Sequence, residues 1–306
     1  MTKIMRGMLA ALLMVLVLNR APAQEAQPTP APDVHPAPAQ EARPALWVVK
    51  RGDTTIYLFG TAHALKPEVV WFDGPVKAAF DRSRELVLEV VEPDPARMVA
   101  ILGTATTSDT RPLIDRLPEK ERPTYAQRLA AFGLPPSVFD RFDPWFATVN
   151  FGGLALRKAG YDTNLSCEHV LSAAARNSGK ALVGLETPEQ QFGYFKSAPV
   201  PLQLESLVRL LDREDTTPQV AETIARLWRG GDPEGLAAAM NAEFRSPVVA
   251  RTLVTDRSAR WAQWIEARLT RPGIVFLAVG AGHLGGKDSV QSVLARDEIK
   301  AERIVY

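Results

Sequence analysis

The segment Thr54–Phe59 (Thr-Thr-Ile-Tyr-Leu-Phe) runs directly into Gly60-Thr61-Ala62-His63, and this order predicts a buried strand that ends in a turn with a glycine and a histidine. The same order recurs near the other end of the chain, where Ile274–Val279 runs into Gly280-Ala281-Gly282-His283. In open α/β sheets, functional groups collect where strands end, because the loops there expose side chains to a crevice. A glycine at such a turn lets the chain bend sharply and lets a ligand approach the backbone. The two segments therefore predict two strand ends that present both histidines to one place.

The other histidines lack this pattern. His35 lies in a proline-rich segment, where we expect it to be solvated, and His169 lies in a helical stretch, where a structural or surface role is expected. Either Gly-x-x-His motif alone would also fit a histidine that only closes a turn. The pair favours a functional site, because two of the four histidines share this unusual local pattern. Neutral imidazole is also the commonest side-chain metal ligand.

Strand-like and helical runs alternate along residues 46–306. The runs that predict strands are Leu46–Lys50, Thr54–Phe59, Leu86–Val91, Ala181–Leu185 and Ile274–Val279. Arg51-Gly52-Asp53 predicts a hairpin between the first two, Thr187-Pro188-Glu189-Gln190 is a capping box that begins a helix, and a long helix is expected over 246–269. This alternation is typical of an α/β fold. We expect one domain with a central mixed sheet flanked by helices, and with a helical insertion or layer in the second half.

The N-terminus has the features of an export signal. Lys3 and Arg6 precede an apolar run over Gly7–Leu18, and Ala21-Pro22-Ala23 is a small-x-small cleavage site. The apolar run is shorter than the ~20 residues that a permanent membrane span needs. We therefore expect a signal peptide over residues 1–23 and a periplasmic or secreted protein with no stable membrane span after cleavage; an uncleaved signal anchor is the alternative.

Composition narrows the classes of function. Residues 24–45 are rich in proline and alanine, which predicts an extended linker that buries no core. The 36 basic and 35 acidic side chains give a formal net charge of +1, which argues against a nucleic-acid-binding protein. Cys167 is the single cysteine, so intramolecular disulfides and cysteine-rich zinc sites are excluded.

Two carboxylates and one arginine stand among apolar residues. Glu89 interrupts an apolar run, where a buried carboxylate is costly unless it is paired, hydrogen-bonded or bound to a metal; a half-exposed strand with Glu89 in solvent is the alternative. Glu186 follows another strand, and either faces the same crevice or serves as an acid at a helix start. Arg257 shares a helical face with apolar residues, so it either extends to solvent or is buried against an acid or a substrate anion.

Four segments in this order resemble the TraB/PrgY/GumN family over about residues 47–306, and they are Leu58–His63, Leu88-Glu89, Gly184–Gln190 and Val279–Leu284. With its signal peptide, the chain is most similar to the secreted GumN-like members. The Tiki metalloproteases share the two Gly-x-x-His motifs and the glutamate. The resemblance implies an α/β domain in which His63, Glu89 and His283 form the core of one site, which is a divalent-metal peptidase site in the Tiki branch.

The resemblance implies a metal-dependent hydrolase that acts on a peptide, amide or ester bond outside the cytoplasm. His63 and His283 would bind manganese, cobalt, zinc or iron, and Glu89 would be a third ligand or the base that takes the proton of the bound water. Arg257 would stabilise the developing oxyanion or bind a substrate carboxylate. The family often has asparagine after this arginine, where the chain has Ser258, so an asparagine hydrogen bond is not expected to transfer. The further candidates for the site are Gly60, Gly280 and Glu186.

Two other functions stay open. A non-catalytic metal-, haem- or ligand-binding protein, associated with the envelope or with exopolysaccharide export, would keep the histidines as ligands. A scaffold would use them only to close turns. Turnover sensitive to a chelator would distinguish the first function from the second, whereas ligand binding that survives His63→Ala and His283→Ala would favour the scaffold.

Overall fold

The computed structural model describes three parts of the chain, residues 39–213, 216–241 and 246–306. The predicted signal peptide and residues 24–38 of the predicted linker lie outside the described residues. The end of that linker packs on the domain: Gln40–Glu41 pairs in parallel with Val69–Val70, and Ala42 is buried. Folded structure therefore includes residues that precede the predicted boundary at Leu46.

The elements follow the predicted alternation. The strands are β1 (Gln40–Glu41), β2 (Leu46–Arg51), β3 (Thr54–Thr61), β4 (Val69–Val70), β5 (Glu85–Val90), β6 (Ala181–Glu186), β7 (Gly273–Gly280) and β8 (Ala301–Ile304). The α-helices are α1 (Gly74–Arg82), α2 (Pro95–Thr104), α3 (Leu113–Arg116), α4 (Arg122–Ala131), α5 (Pro144–Lys158), α6 (Cys167–Asn177), α7 (Pro188–Lys196), α8 (Val200–Asp212), α9 (Thr217–Arg229), α10 (Pro233–Asn241), α11 (Pro247–Ala250), α12 (Asp256–Arg268) and α13 (Val290–Arg296).

Six strands of the described chain form one mixed sheet, in the order β6-β5-β7-β3-β2-β8. The neighbours among β6, β5, β7 and β3 run parallel, whereas β2 pairs antiparallel with both β3 and β8. The hairpin between β2 and β3 turns where the sequence predicts it. The expected α/β fold with a central mixed sheet is confirmed.

Helices cover both faces of the sheet because its central strands are apolar on both sides. Phe59 on β3 and Phe276 on β7 face a cluster that includes α1 and α6. Leu58 and Leu277 face the opposite cluster, which includes α12 and α13. Side chains alternate in direction along a strand, so consecutive apolar residues fill both layers.

A third apolar cluster lies among helices alone. It joins α4, α5 and α8 through residues such as Tyr125, Phe151 and Leu207. The expected helical layer is present, but it begins in the first half of the chain because α4 and α5 belong to it. The long helix expected over 246–269 is divided, since a π-helical turn over Arg251–Thr255 lies between α11 and α12. In the described ranges, none of the helices is long and apolar enough for a membrane span.

Candidate active site

The two Gly-x-x-His turns lie side by side because β3 and β7 are parallel neighbours. Thr61 pairs with Gly280 across these strands, so both turns leave the same edge of the sheet. A Cβ atom added at Gly280 would lie 3.3 Å from Nε2 of His63 and 3.7 Å from Cδ2 of His283. The structure therefore brings the two histidines together at one strand edge.

The two glycines that begin these turns have different surroundings. Gly280 borders the site, since an added Cβ would lie 3.0 Å from Oε1 of Glu89. Gly60 instead makes room for the other turn, because an added Cβ there would lie 3.0 Å from Cβ of Ala281. Its carbonyl oxygen also accepts a hydrogen bond from the indole of Trp228 at 2.8 Å. Of the two predicted glycines, Gly280 touches the site and Gly60 supports it.

Glu89 is 3 % exposed and lies near the end of β5, beside both turns. Its Oε1 accepts a hydrogen bond from the backbone N–H of Gly280 at 2.6 Å. Its Oε2 accepts from Nη2 of Arg257 at 2.6 Å and from Nε2 of Gln191 at 3.3 Å. Burial alone would raise the pKa of this carboxyl, but the charge of Arg257 and the other neighbours lower it to about 2. Glu89 is therefore ionised with both oxygens engaged, and it does not extend into solvent.

Arg257 is 4 % exposed and uses all five of its N–H groups within the protein. Nε and Nη2 donate to the carboxylate of Glu186 at 2.8 to 3.1 Å, and the second N–H of Nη2 donates to Glu89. Nη1 donates to the carbonyl oxygen of Leu253 and to Nε2 of His283, each at 3.3 Å. The guanidinium is thus paired with two acids rather than extended to solvent. In this conformation it has no N–H left for a substrate.

Aromatic rings and the π-helical turn hold the guanidinium in this position. Its Cζ lies 4.7 Å from the ring centroid of Trp261 and 5.6 Å from that of Tyr194. Leu253, which accepts one of its hydrogen bonds, lies in the π-helical turn just before α12. Glu186, at the end of β6, is buried against this arginine. It belongs to the ion pairs beside the cavity rather than to the cavity lining, and it is more than an acid at a helix start.

His283 is a neutral imidazole engaged at both nitrogens. Because Arg257 can only donate, Nε2 of His283 accepts, and Nδ1–H therefore donates to Oγ of Ser258 at 3.1 Å. Burial and the neighbouring guanidinium lower the pKa of His283 to about 3. Ser258 thus supplies a hydrogen bond to the site, although the sequence resemblance gave no reason to expect one.

His63 pairs with Glu168, an acid absent from the predicted site. Nδ1 of His63 lies 2.8 Å from Oε1 of Glu168, in the first turn of α6. Burial opposes a charged imidazole, but the carboxylates of Glu168 and then Glu89 raise the pKa of His63 above its ordinary 6.5. The N–H of Cys167 donates to the carbonyl oxygen of Ala62, and the N–H of Ala62 donates to Sγ of Cys167. These bonds tie the histidine turn to α6 and leave Nε2 of His63 for the cavity.

A cavity of about 110 Å³ lies over these groups. Its walls are mostly apolar and come from several helices and the π-helical turn, through Leu156, Phe195, Ile224, Leu236, Met240 and Leu253. Glu89, Arg257 and His283 are almost fully buried at its floor. The side chain of His63 keeps 20 % of its surface exposed. His63 is therefore the titratable group of the site that a ligand reaches most easily.

The predicted metal ligands do not fit a divalent cation in this conformation. Within residues 39–213, 216–241 and 246–306, no three His, Cys, Asp or Glu side chains form a group that could hold an ion. Nε2 of His283 and both oxygens of Glu89 accept hydrogen bonds from Arg257 and Gly280, which leaves Nε2 of His63 as the remaining donor atom of the three. A cation between Glu89 and His283 would also meet the charge of the guanidinium. Metal binding therefore stays a prediction.

Three side chains of the site were missed from the sequence, namely Glu168, Gln191 and Ser258. Glu168 occupies a helix start, where an acid is ordinary because it interacts well with the helix dipole. It also precedes His169, which is exposed on α6 as expected for a surface histidine. The one available signal was the position of Ser258 directly after Arg257.

The family match spans the whole of this site. A comparison with protein-family models matches the TraB/PrgY/gumN family over residues 45–303, which include every residue described in the site. Comparisons with curated proteins and with solved structures found no match. Since the matched region covers most of its length, the chain belongs to the TraB/PrgY/gumN family.

Proposed function

We propose that the protein is an extracytoplasmic hydrolase of an ester, amide or peptide bond, with His63 as its general base. The main observation in support is the His63–Glu168 pair, which lies at the apolar cavity. A carboxylate at Nδ1 orients the imidazole with its other nitrogen free to accept a proton, and it stabilises the imidazolium that forms. A histidine pKa above 6.5 suits proton transfer near neutral pH.

In the proposed reaction, a water molecule beside Nε2 of His63 gives it a proton and attacks the carbonyl carbon of the substrate. The C–O or C–N bond of the tetrahedral intermediate then breaks. The imidazolium of His63 returns the proton to the leaving oxygen or nitrogen, so the products are an acid and an alcohol or amine. Glu168 stays beside Nδ1 of His63 throughout, and water is the second reactant.

Arg257 acts as a positioning residue in this scheme, because its N–H groups are all engaged. It holds Glu89 beside Gly280 and accounts for the neutral state of His283. The Glu89 carboxylate in turn favours the protonated form of His63. This role differs from the expectation that Arg257 donates a hydrogen bond to the oxyanion.

Two features of the sequence support the proposed location and the proposed reaction. The predicted signal peptide supports a periplasmic or secreted location. The similarity to the Tiki metalloproteases in both Gly-x-x-His motifs and in Glu89 supports hydrolysis. Binding of a divalent metal is a separate prediction, and the roles of His63 and Glu168 do not depend on it.

The test compares the purified protein with His63→Ala and with His169→Ala, a matched variant at an exposed histidine of α6. Circular dichroism checks that each protein folds, and a panel of peptide and ester substrates measures turnover. Loss of a general base should lower kcat about 10²- to 10⁴-fold, whereas His169→Ala should keep the parent activity. Parent-like turnover in His63→Ala, or no turnover of any substrate by the parent, would contradict the proposal.

Metal analysis of the same proteins tests the metal prediction independently. The protein is stripped with a chelator, reloaded with manganese, cobalt, zinc or iron, and compared with His63→Ala and His283→Ala. Near-stoichiometric metal that is lost in both variants would establish the two-histidine site, and Arg257 would then have to move aside. Absence of metal under every loading would refute the metal prediction and leave the turnover test unchanged.

A non-catalytic binding protein is the second candidate, and the engaged donors of Arg257 favour it over a hydrolase that needs a free oxyanion donor. A haem-binding form would hold the group through His63. Retention of a ligand without turnover, with binding lost in His63→Ala, would support this candidate.

A further inference from the structure

We propose that the cavity selects an uncharged, aliphatic acyl group, so that the substrates are esters or amides of aliphatic acids. The nature of the scissile bond rests on the proposed hydrolase function, whereas the choice of acyl group rests on the cavity. Three features of the cavity support the choice: its apolar walls, the pairing of its buried charged groups with one another, and the small side chains that create its volume.

The walls are apolar where they lie away from His63. Leu156 on α5, Ile224 on α9, Leu236 on α10 and Leu253 in the π-helical turn all line the space. Burying apolar surface is favourable in proportion to its area, whereas a charged group would lose its hydration there. These walls therefore favour a hydrocarbon chain.

Away from His63, the charged groups of the cavity are paired with one another and offer no counter-charge to a charged chain. The N–H groups of Arg257 bind two acids, and both oxygens of Glu89 accept hydrogen bonds. Tyr161 donates its hydroxyl hydrogen to Glu222 at 3.1 Å, and the indole of Trp228 donates to a backbone carbonyl. The Thr61 hydroxyl, which has no hydrogen-bond partner among the described residues, and Asn241 also line the cavity, but both are uncharged. An acyl chain that ended in a carboxylate or an ammonium group away from His63 would therefore find no counter-charge.

Small side chains on α9 create the space. Ala221 and Ala225, one helical turn apart, both line the cavity and pack in one cluster with Leu156. A leucine at position 225 would fill volume that a ligand would otherwise use. Met240 on α10 borders the cavity from another side, so that Met240→Ala would enlarge it.

The experiment measures binding and turnover separately. Straight-chain methyl ketones from butanone to decanone keep the carbonyl group but have no scissile bond, so calorimetric titration gives affinity alone. The p-nitrophenyl esters from acetate to decanoate give kcat/KM. Each buried methylene should raise affinity and kcat/KM about fourfold, which is about 0.8 kcal/mol, until the cavity is full. The monoester of adipic acid, which has a terminal carboxylate, should lose most of this gain relative to the hexanoate ester.

Variants move the preferred chain length in opposite directions. Ala225→Leu should shorten the preferred chain and Met240→Ala should lengthen it. Thr223→Leu, on the exposed face of α9, is the matched control and should leave the chain-length profile unchanged. Thermal unfolding checks the fold of each variant, and Met240→Ala at a half-buried position tests the proposal even where Ala225→Leu fails to fold.

Binding that grows with chain length, and that both cavity variants shift, would support the proposal. Equal turnover of the adipate monoester and the hexanoate ester, or a profile unchanged in both cavity variants, would overturn it. Ketone binding without turnover of any ester would overturn the hydrolase proposal while supporting the aliphatic site. Turnover with no chain-length preference would overturn the aliphatic site while supporting the hydrolase proposal.

Discussion

Arg257→Met removes the cation that binds Glu89 and Glu186 inside the protein, with little change in side-chain volume. Both carboxylates are buried, and their charge-assisted hydrogen bonds to Nη2 of Arg257 measure 2.6 and 2.8 Å. Removing one partner of a buried ion pair costs about 3–5 kcal/mol of unfolding free energy, because the other charge is left unpaired.

The lowered pKa of Glu89 indicates a similar contribution to the free energy of unfolding. Burial would raise it, yet Arg257 and the other neighbours lower it from an ordinary 4.5 to about 2. One pKa unit is worth about 1.4 kcal/mol, so this carboxyl contributes about 3 kcal/mol above pH 4.5 and loses that contribution as the pH falls toward 2. Without Arg257, burial raises the pKa instead, so acidification should neutralise the unpaired carboxylate and stabilise the variant relative to wild type.

Urea unfolding at a series of pH values, followed by tryptophan fluorescence, measures both effects. Arg97→Met is the matched control, since Arg97 binds Glu189 through the same fork at 3.0 Å but on the exposed surface, where ion pairs contribute little. Unfolding of Arg257→Met at the same urea concentration as wild type at neutral pH, or with the pH trend of Arg97→Met, would show that Arg257 does not stabilise the two buried carboxylates.

Three further changes test the geometry of the site. Glu168→Gln should lower the pKa of His63 and move the acid limb of the activity profile to lower pH, because the raised pKa depends on this carboxylate; an unchanged NMR titration of His63 would contradict it. Ser258→Ala should leave an N–H of the buried imidazole unpaired and cost about 1–3 kcal/mol in a denaturant titration, and an unchanged midpoint would show that the bond is dispensable. Gly280→Ala should reduce turnover and thermal stability, since its Cβ would lie 3.3 Å from Nε2 of His63, whereas Gly103→Ala, with no atom within 4 Å, should keep both.

Local patterns predicted the part of the site that lies on strands. A β-rich run followed by glycine and histidine is visible in the sequence, and the parallel pairing of β3 with β7 is what makes the two turns meet. Glu89 was recognisable because a carboxylate inside an apolar run needs a partner. The sequence does not indicate its partner. Arg257 lies on a helix and faces inward because acids at the ends of two strands bind it there.

Contacts between distant elements explain what the sequence did not reveal. Glu168 reaches His63 because hydrogen bonds between Ala62 and Cys167 fix the start of α6 beneath the first turn. No local periodicity reports such a contact. The π-helical turn over Arg251–Thr255 is equally hidden, because its apolar residues also fit the continuous helix that the pattern predicts.

The position of β7 in the sheet bears on the order of events during folding. It lies between β3 and β5 and is the strand that joins them, yet it follows both of them in the chain, after β6 and α12. Until Gly273–Gly280 is inserted, β3 and β5 each present an open edge. His63 and Glu89 are then not held in a fixed position relative to each other. Assembly of the site therefore waits until β7 has been synthesised and inserted, because this strand alone pairs with both β3 and β5 in the described sheet.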